Sequence, residues 1–261
     1  MEINNITDIH SHVLPGIDDG AQNLPASLIL LHMLAEQGVG RLVLTPHFYS
    51  YRESLEDFLA RRTASMRQLL STDYIREADP ELHAAGGPYA IYSEAQIFDG
   101  TDPRAISLYL AAEVYLTEMV QSLEDVQPLL FGRERYLLLE MPFDQTWQTR
   151  TYQQIDALVA KFGITPVIAH VERYPAGSKG RNTDVLNELT KRGCLLQINV
   201  DSFGDRKTRK AIHNLLKDGW VDAIGSDAHD PVNRPPRFKE FEAIVAKKTR
   251  HFQYEDVNLP L

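Results

Sequence analysis

Histidines and carboxylates recur in this chain wherever an apolar run ends, and that placement is what could do chemistry. His10-Ser-His12 closes the first run. On an extended strand, residues two apart point the same way, so both imidazoles can face one ion. Asp227-Ala-His229 repeats the spacing near the other end of the chain. His47, Glu113, Glu140 and His170 each finish another run. A lone His-x-His occurs by chance on many surfaces; two paired motifs with four further ligands at run ends form a stronger pattern. The donors are nitrogen and carboxylate oxygen without sulfur, which suits Zn, Mn, Fe or Ni. They outnumber the three or four that one zinc takes, so two or three ions are expected, with Glu113 as a bridging carboxylate. Ions a few ångströms apart suit phosphoester hydrolysis. One lowers the pKa of a bound water toward ~7, and the others neutralise the phosphoryl and leaving oxygens. Arg173, three residues past His170, and Arg234, five past His229, are placed to clamp a phosphate in two-pronged fashion.

The elements that must position these groups alternate between strand and helix. Strands are expected over 6–12, 41–47, 106–113, 136–140, 165–170, 195–199 and 221–227. Helices are expected over 23–38, where Asn23 can cap and Pro25 suits the first turn, and over 53–70, 147–162, 183–192, 205–218 and 235–247. Such alternation argues for parallel strands with helical crossovers. No Gly-x-Gly-x-x-Gly follows the first strand, only Gly16 and Gly20 in a loop. A distorted barrel is therefore preferred to an open doubly wound sheet. In such a barrel the carboxyl ends of the strands share one face, which would bring residues 10 and 229 together. Residues 72–103 hold three prolines and three glycines and read as a long, insertion-like excursion with short elements at most.

Length and composition agree with this. The 261 residues fit one α/β domain spanning 1–261, and 43% hydrophobic with 24% charged residues is ordinary for a globular chain. A net charge of −9 argues against a broad nucleic-acid-binding face. Cys194 is the single cysteine, so neither an internal disulfide nor a thiolate zinc site can form. It sits in an apolar run and reads as a core thiol. The first residues lack the pattern of a signal peptide, and no apolar run approaches ~18 residues, so a cytoplasmic location without membrane insertion is expected. His32, His83, His213 and His251 fall outside the run ends and read as structural or exposed.

Several segments together resemble the PHP (polymerase and histidinol phosphatase) superfamily. Within it they resemble the bacterial tyrosine-protein phosphatases that control capsule and exopolysaccharide synthesis. They are Asp8-Ile-His-Ser-His12, Gly16-Ile-Asp-Asp-Gly20, Thr45-Pro-His47, Ala112-Glu113, Leu139-Glu140, Ile168-Ala-His-Val-Glu-Arg-Tyr174, Ser226-Asp-Ala-His229 and Arg234-Pro-Pro236. The resemblance implies a distorted seven-stranded (β/α)7 TIM-like barrel and a trinuclear centre commonly active with manganese, with Fe, Zn, Ni or Co as other options. It assigns His10, His12, His47, Glu113, Glu140, His170, Asp227 and His229 to the metals. It adds one aspartate of the Asp18-Asp19 pair, Asp19 by loop alignment, and gives Arg173 and Arg234 to the phosphate; with Asp227 these make up the expected catalytic set. The implied substrate is phosphotyrosine in the tail of a bacterial tyrosine kinase that drives polysaccharide export, hydrolysed by a metal-activated hydroxide. The alternatives are a small-molecule phosphomonoesterase, such as a histidinol-phosphate phosphatase, and an inert metal-binding regulatory protein. A barrel amidohydrolase would need a lysine at a strand end, and none is seen.

Overall fold

The computed structural model describes residues 6–143, 147, 149–174, 183–204, 206–245 and 257–261. Within them the strands are β1 Ile6–Asp8, β2 Val39–Leu44, β3 His47–Phe48, β4 Ile75–Glu77, β5 Ala90–Tyr92, β6 Ile106–Leu110, β7 Glu113–Tyr115, β8 Tyr136–Glu140, β9 Thr165–Ile168, β10 Leu195–Asn199 and β11 Ala223–Gly225. The helices are α1 Leu24–Glu36, α2 Leu55–Leu70, α3 Pro80–Ala84, α4 Thr149–Phe162, α5 Thr183–Thr190, α6 Arg206–Lys217 and α7 Phe238–Val245. His251 and the ends of two expected helices lie outside the described residues.

The strands form two mixed or parallel sheets, ordered β1-β2-β6-β5-β4 and β11-β10-β9-β8-β7-β3. All pairings are parallel except those that attach β5 to β6 and β4 to β5. The sheets approach each other where β1 meets β11: Ile9 N–H donates to Ile224 O at 3.4 Å and Ser11 bridges Ala228. At the other end the chain passes from β2 into β3 and from β6 into β7 across two residues each.

Period-two alternation sorts the apolar side chains. Ile9, Val43, Leu138, Val167 and Ala223 pack in one inner cluster. Their neighbours Leu42, Leu44, Leu137, Leu139 and Ile168 pack in the larger cluster with helix residues such as Leu30, Leu34, Phe58, Ile155 and Phe241. A strand apolar on both faces must be covered on both, which is why Tyr136–Glu140 is buried throughout. Local signals set the helix starts: Asn23 accepts from Ala26 N–H at 3.0 Å, and Ser54 accepts from Asp57 N–H at 3.1 Å.

Two expectations change. The run 106–113 is two strands, because the chain leaves β6 at Ala111 and Ala112 and Glu113 opens β7 instead of ending a strand. Likewise 41–47 divides into β2 and β3 around Thr45-Pro46, since proline cannot donate to a ladder. The excursion 72–103 holds short elements, as expected: β4, α3 and β5, with β5 antiparallel to the edge of β6 and β4 antiparallel to β5.

Candidate metal centre

The chain after β1, the β2–β3 break, the start of β7, the end of β8 and the turns after β9 and β11 all reach one place. His10, His12, Glu113, His170, Asp227 and His229 are buried there, Glu140 nearly so, and His47 is partly exposed. Two of the donors stand in left-handed backbone, His170 at φ 36° and Asp227 at φ 50°. Non-glycine residues rarely adopt that region, and such strain gathers at functional sites.

Three imidazoles are held in the same way. The Nδ1–H of His12 donates to Asp18 Oδ2 at 2.9 Å, and that of His229 donates to the Asp227 carbonyl at 2.8 Å. His10 Nδ1–H points at Gln197 Oε1 at 3.3 Å, an oxygen already fixed by the His170 N–H at 2.7 Å. The carboxylate and the two carbonyl oxygens can only accept, so each ring in its neutral form carries its proton on Nδ1 and turns the Nε2 lone pair inward.

Those inward atoms crowd each other. His10 Nε2 and His12 Nε2 are 3.2 Å apart. Glu113 Oε2 lies 3.2 Å from His10 Nε2, 3.3 Å from His12 Nε2 and 2.9 Å from His47 Nδ1. Its other oxygen is 3.0 Å from His170 Nε2, which Glu140 approaches at 3.8 Å. Asp227 Oδ1 is 3.3 Å from His12 Nε2 and 3.6 Å from His10 Nε2. Among the described residues, Glu113 Oε2, His47 Nδ1 and His229 Nε2 are buried with no hydrogen-bond partner. Lone pairs gathered around common points, with too few protons to join them, are what a cation would satisfy.

Three groups offer atoms within 4.8 Å of one another: His12, Asp19, His47 and His229; His10, His12 and Asp227; and His47, Glu113 and Glu140. The nitrogen and oxygen donors fit divalent ions of the Mn, Fe or Zn kind. His170 lies outside these three groups but touches Glu113. The two glutamates of the centre differ in acidity. Burial and the neighbouring Glu113 charge raise Glu140 to about 7. Burial opposes the ionisation of Glu113, yet His10 and His47 hold it well below the usual range.

The aspartate pair divides its work. Asp19 Oδ1 stands 3.4 Å from His47 Nε2 and 3.5 Å from His229 Nε2, among the inward nitrogens. Asp18 stands behind them, accepting from His12 and from the His47 N–H at 3.0 Å. Arg173 and Arg234 both reach Asp227 Oδ2, at 2.8 and 2.7 Å, and Asn199 Nδ2–H donates to the same oxygen at 2.7 Å. That leaves Oδ1 for the imidazole side. Burial penalises the Arg173 charge, but Asp227, Glu172 and Asp201 outweigh it and raise its pKa.

Gln197 and Asn199 were missed by the sequence reading. Their spacing on β10, polar at every second place in a buried strand, was the available signal. Of the histidines set aside, His32 is exposed and pairs with Glu94, and His83 lies on α3.

The family model for capsular polysaccharide synthesis, CpsB/CapC, matches residues 6–99 and 91–259. The tyrosine-protein phosphatase CpsB of Streptococcus pneumoniae is 29% identical over 254 residues, covering 92% of this chain and 90% of that protein. The tyrosine-protein phosphatase YwqE of Bacillus subtilis (strain 168) is 28% identical over 246 residues, covering 92% and 84%. A solved structure from work on YwqE of Bacillus subtilis and CpsB of Streptococcus pneumoniae, described as unique metal-dependent tyrosine phosphatases, superposes with a TM-score of 0.69. It is 22% identical and covers 94% of this chain and 88% of the other, so it speaks to the α/β fold.

Proposed function

Because the chain belongs to the CpsB/CapC capsular polysaccharide synthesis family, we propose that it is a metal-dependent protein-tyrosine phosphatase. The observation that carries the reading is the common posture of His10, His12 and His229, each tethered at Nδ1, with Nε2 turned toward the buried Glu113 and Asp227 for the first two and toward Asp19 for His229. The likeness to solved structures and the sheet register support one distorted seven-stranded barrel, with β2–β3 and β6–β7 each serving as one broken strand and β1 lying beside β11. We read 1–261 as a single domain with 72–103 as its insertion. A core cluster running from Ile6 to Val257 supports that reading.

In this function His10, His12, Asp19, His47, Glu113, Glu140, His170, Asp227 and His229 hold two or three divalent ions, manganese foremost. Bound there, the ions supply a nucleophilic hydroxide at neutral pH and charge for the phosphoryl oxygens. The chain's own residues do the rest. Arg173 and Arg234 are partly exposed, at 28% and 33%, so N–H groups not spent on Asp227 can receive the phosphate. Asp18, Gln197 and Asn199 keep the rings and Asp227 in register. The phenolate of tyrosine, with a pKa of ~10, leaves with less help than an alkoxide. No described helix is long and apolar enough to cross a membrane. A phosphotyrosine-bearing kinase tail in the cytoplasm is the substrate we favour, and the single buried thiol fits a reducing compartment.

The test is a metal-resolved screen on phosphotyrosine peptides, histidinol phosphate and other small phosphomonoesters, with His10→Ala as control. The expected result is manganese-stimulated turnover fastest on phosphotyrosine and lost in the variant. Faster turnover of histidinol phosphate would transfer the assignment to the small-molecule class. Bound metal with no turnover at all would make the chain a binding protein.

A further inference from the structure

The centre described above explains how a phosphoryl group is held, but not what receives the rest of the substrate. Two sets of aromatic rings rise from its edge. Tyr49 stacks on His47, with centroids 5.2 Å apart and planes at 26°. It meets Tyr51 and Tyr115 at 5.8 Å each, and those two meet at 5.9 Å, so the three rings close a triangle. The Arg52 guanidinium lies 4.4 Å from the Tyr49 centroid and 5.3 Å from that of Tyr51 and backs both rings. Phe143 stacks on His170 at 5.4 Å and 20°, and meets Tyr174 tilted, at 4.9 Å and 37°.

The two sets flank one carboxylate. Glu113 Oε2 is 2.9 Å from His47 Nδ1, and Glu113 Oε1 is 3.0 Å from His170 Nε2. Aromatic surface therefore extends outward from both neighbours of Glu113. Burial of large rings normally accounts for such clusters, but Tyr51 is 48% exposed and Phe143 43%. Half-open rings beside a polar centre are placed to bind rather than to fill a core. We propose that Tyr49, Tyr51 and Tyr115 on the His47 side, with Phe143 on the His170 side, form a subsite for the aryl ring of the substrate. The subsite selects aryl over alkyl phosphates by ring contact. The proposal rests on the phosphatase reading above and names residues for its specificity.

Two measurements on the manganese-loaded chain test it. The first is the ratio of kcat/KM for a phosphotyrosine peptide to that for the same peptide carrying phosphoserine. Tyr51→Ala and Phe143→Ala should each lower that ratio about 5- to 30-fold, chiefly through KM, since ring contacts of this kind are worth on the order of 1–2 kcal/mol. Tyr51→Phe, which keeps the ring, should restore it, and Leu82→Ala, exposed on α3, serves as a remote control. The second is equilibrium binding by calorimetry, with phenylphosphonate and methylphosphonate as non-hydrolysed probes. The variants should weaken phenylphosphonate about 5- to 10-fold more than methylphosphonate. Equal losses for aryl and alkyl ligands, or none, would overturn the subsite. A wild-type chain inert toward phosphotyrosine would instead sink the parent function, and the phosphonate comparison would still decide the subsite.

Discussion

Asp18 Oδ2 lies 2.9 Å from Nδ1 of His12 and also accepts the His47 backbone N–H at 3.0 Å, so one buried carboxylate fixes a ring and a neighbouring strand. Its own acidity reflects the bond: burial opposes ionisation, but His12 and the Gly20 N–H hold it below the usual range. Removing it should free the imidazole to flip and exchange tautomer. Asp18→Ala is therefore expected to lose about 10- to 100-fold in manganese affinity, measured by titration, while keeping its fold. Asp19→Ala should also weaken metal. It should do so without disordering His12, which ring-proton NMR in the metal-free protein can read. A ring equally ordered in Asp18→Ala would contradict the role.

Arg173 and Arg234 converge on a single oxygen, Asp227 Oδ2, from two different turns. Each combines support of Asp227 with a charge open to substrate. Replacing either by Ala removes a charge-assisted hydrogen bond worth roughly 1.5–3 kcal/mol, so kcat/KM should fall about 10- to 100-fold. The double variant should lose less than the product of the two, because both share Asp227. Lysine should rescue poorly, lacking the planar fork. Strict additivity in steady-state kinetics would show that the two guanidiniums act separately.

Metal uptake should release protons. Glu140 titrates at about 7 in the metal-free chain, raised by burial and by Glu113. His12 is raised well above its ordinary value; burial opposes this, but Asp18, Asp227 and Glu113 prevail. Both groups hold protons at pH 6 that ligation must displace. Affinity should thus rise with pH, about tenfold per unit for each proton displaced, and the Glu140 contribution should level off above pH 7. Calorimetry in buffers of different ionisation heat counts the protons. Glu140→Gln should release fewer at pH 6 than the wild type, and an unchanged count would exclude Glu140.

Cys194 offers a contrast away from the centre. Burial pushes its thiol up to about 12, from an ordinary 9. A raised folded pKa means that its stabilising contribution is complete below pH 9 and declines as pH rises toward 12. The stability difference between wild type and Cys194→Ala should accordingly shrink by ~2 kcal/mol between pH 8 and pH 10.5 in denaturant titrations. Iodoacetamide at pH 8 should leave the native protein unalkylated and active, whereas a chelator should abolish turnover. Rapid alkylation with loss of activity would point to thiol chemistry instead.

How much of this was legible beforehand varies by residue. His10, His12, His47, Glu140, His170, Asp227 and His229 stand out because each follows an apolar run, and runs and their ends are local features. Glu113 was found for the right reason but given the wrong position. Ile106–Tyr115 is apolar nearly throughout, and nothing in it marks where the chain steps from β6 to β7. The pairing of β4 and β5 was invisible because three-residue strands such as Ile75–Glu77 carry too few alternations to register. Asp18 and Asp19 are adjacent and chemically identical. Only the backbone turn between Gly16 and Gly20 sends one behind His12 and the other toward His47 and His229.

Gly225 gives the sharpest test of how tightly the strands hold this centre. It ends β11, and a Cβ built on it would stand 2.5 Å from His10 Cβ and 2.8 Å from Gln197 Nε2. Neither neighbour can retreat cheaply. His10 is tied by its N–H to Asp8 Oδ1 at 3.1 Å, and Gln197 donates to Asn199 Oδ1 at 2.8 Å. Gly225→Ala must therefore push the His10 backbone or break the Gln197 contacts, and overpacking of this kind costs about 1–3 kcal/mol. The same push moves His10 Nε2 from its place 3.2 Å from His12 Nε2 and Glu113 Oε2. The expected outcome is a chain that still unfolds cooperatively, with a midpoint lowered by several degrees, and binds manganese at least tenfold more weakly. Gly219→Ala controls for loss of a glycine, since nothing lies within 4 Å of its added Cβ, although its φ of 71° carries its own strain. It should lose stability with little change in metal affinity. Should Gly225→Ala bind manganese as tightly as the wild type while being destabilised, the close approach of β11 to His10 would be a packing feature without consequence for the centre.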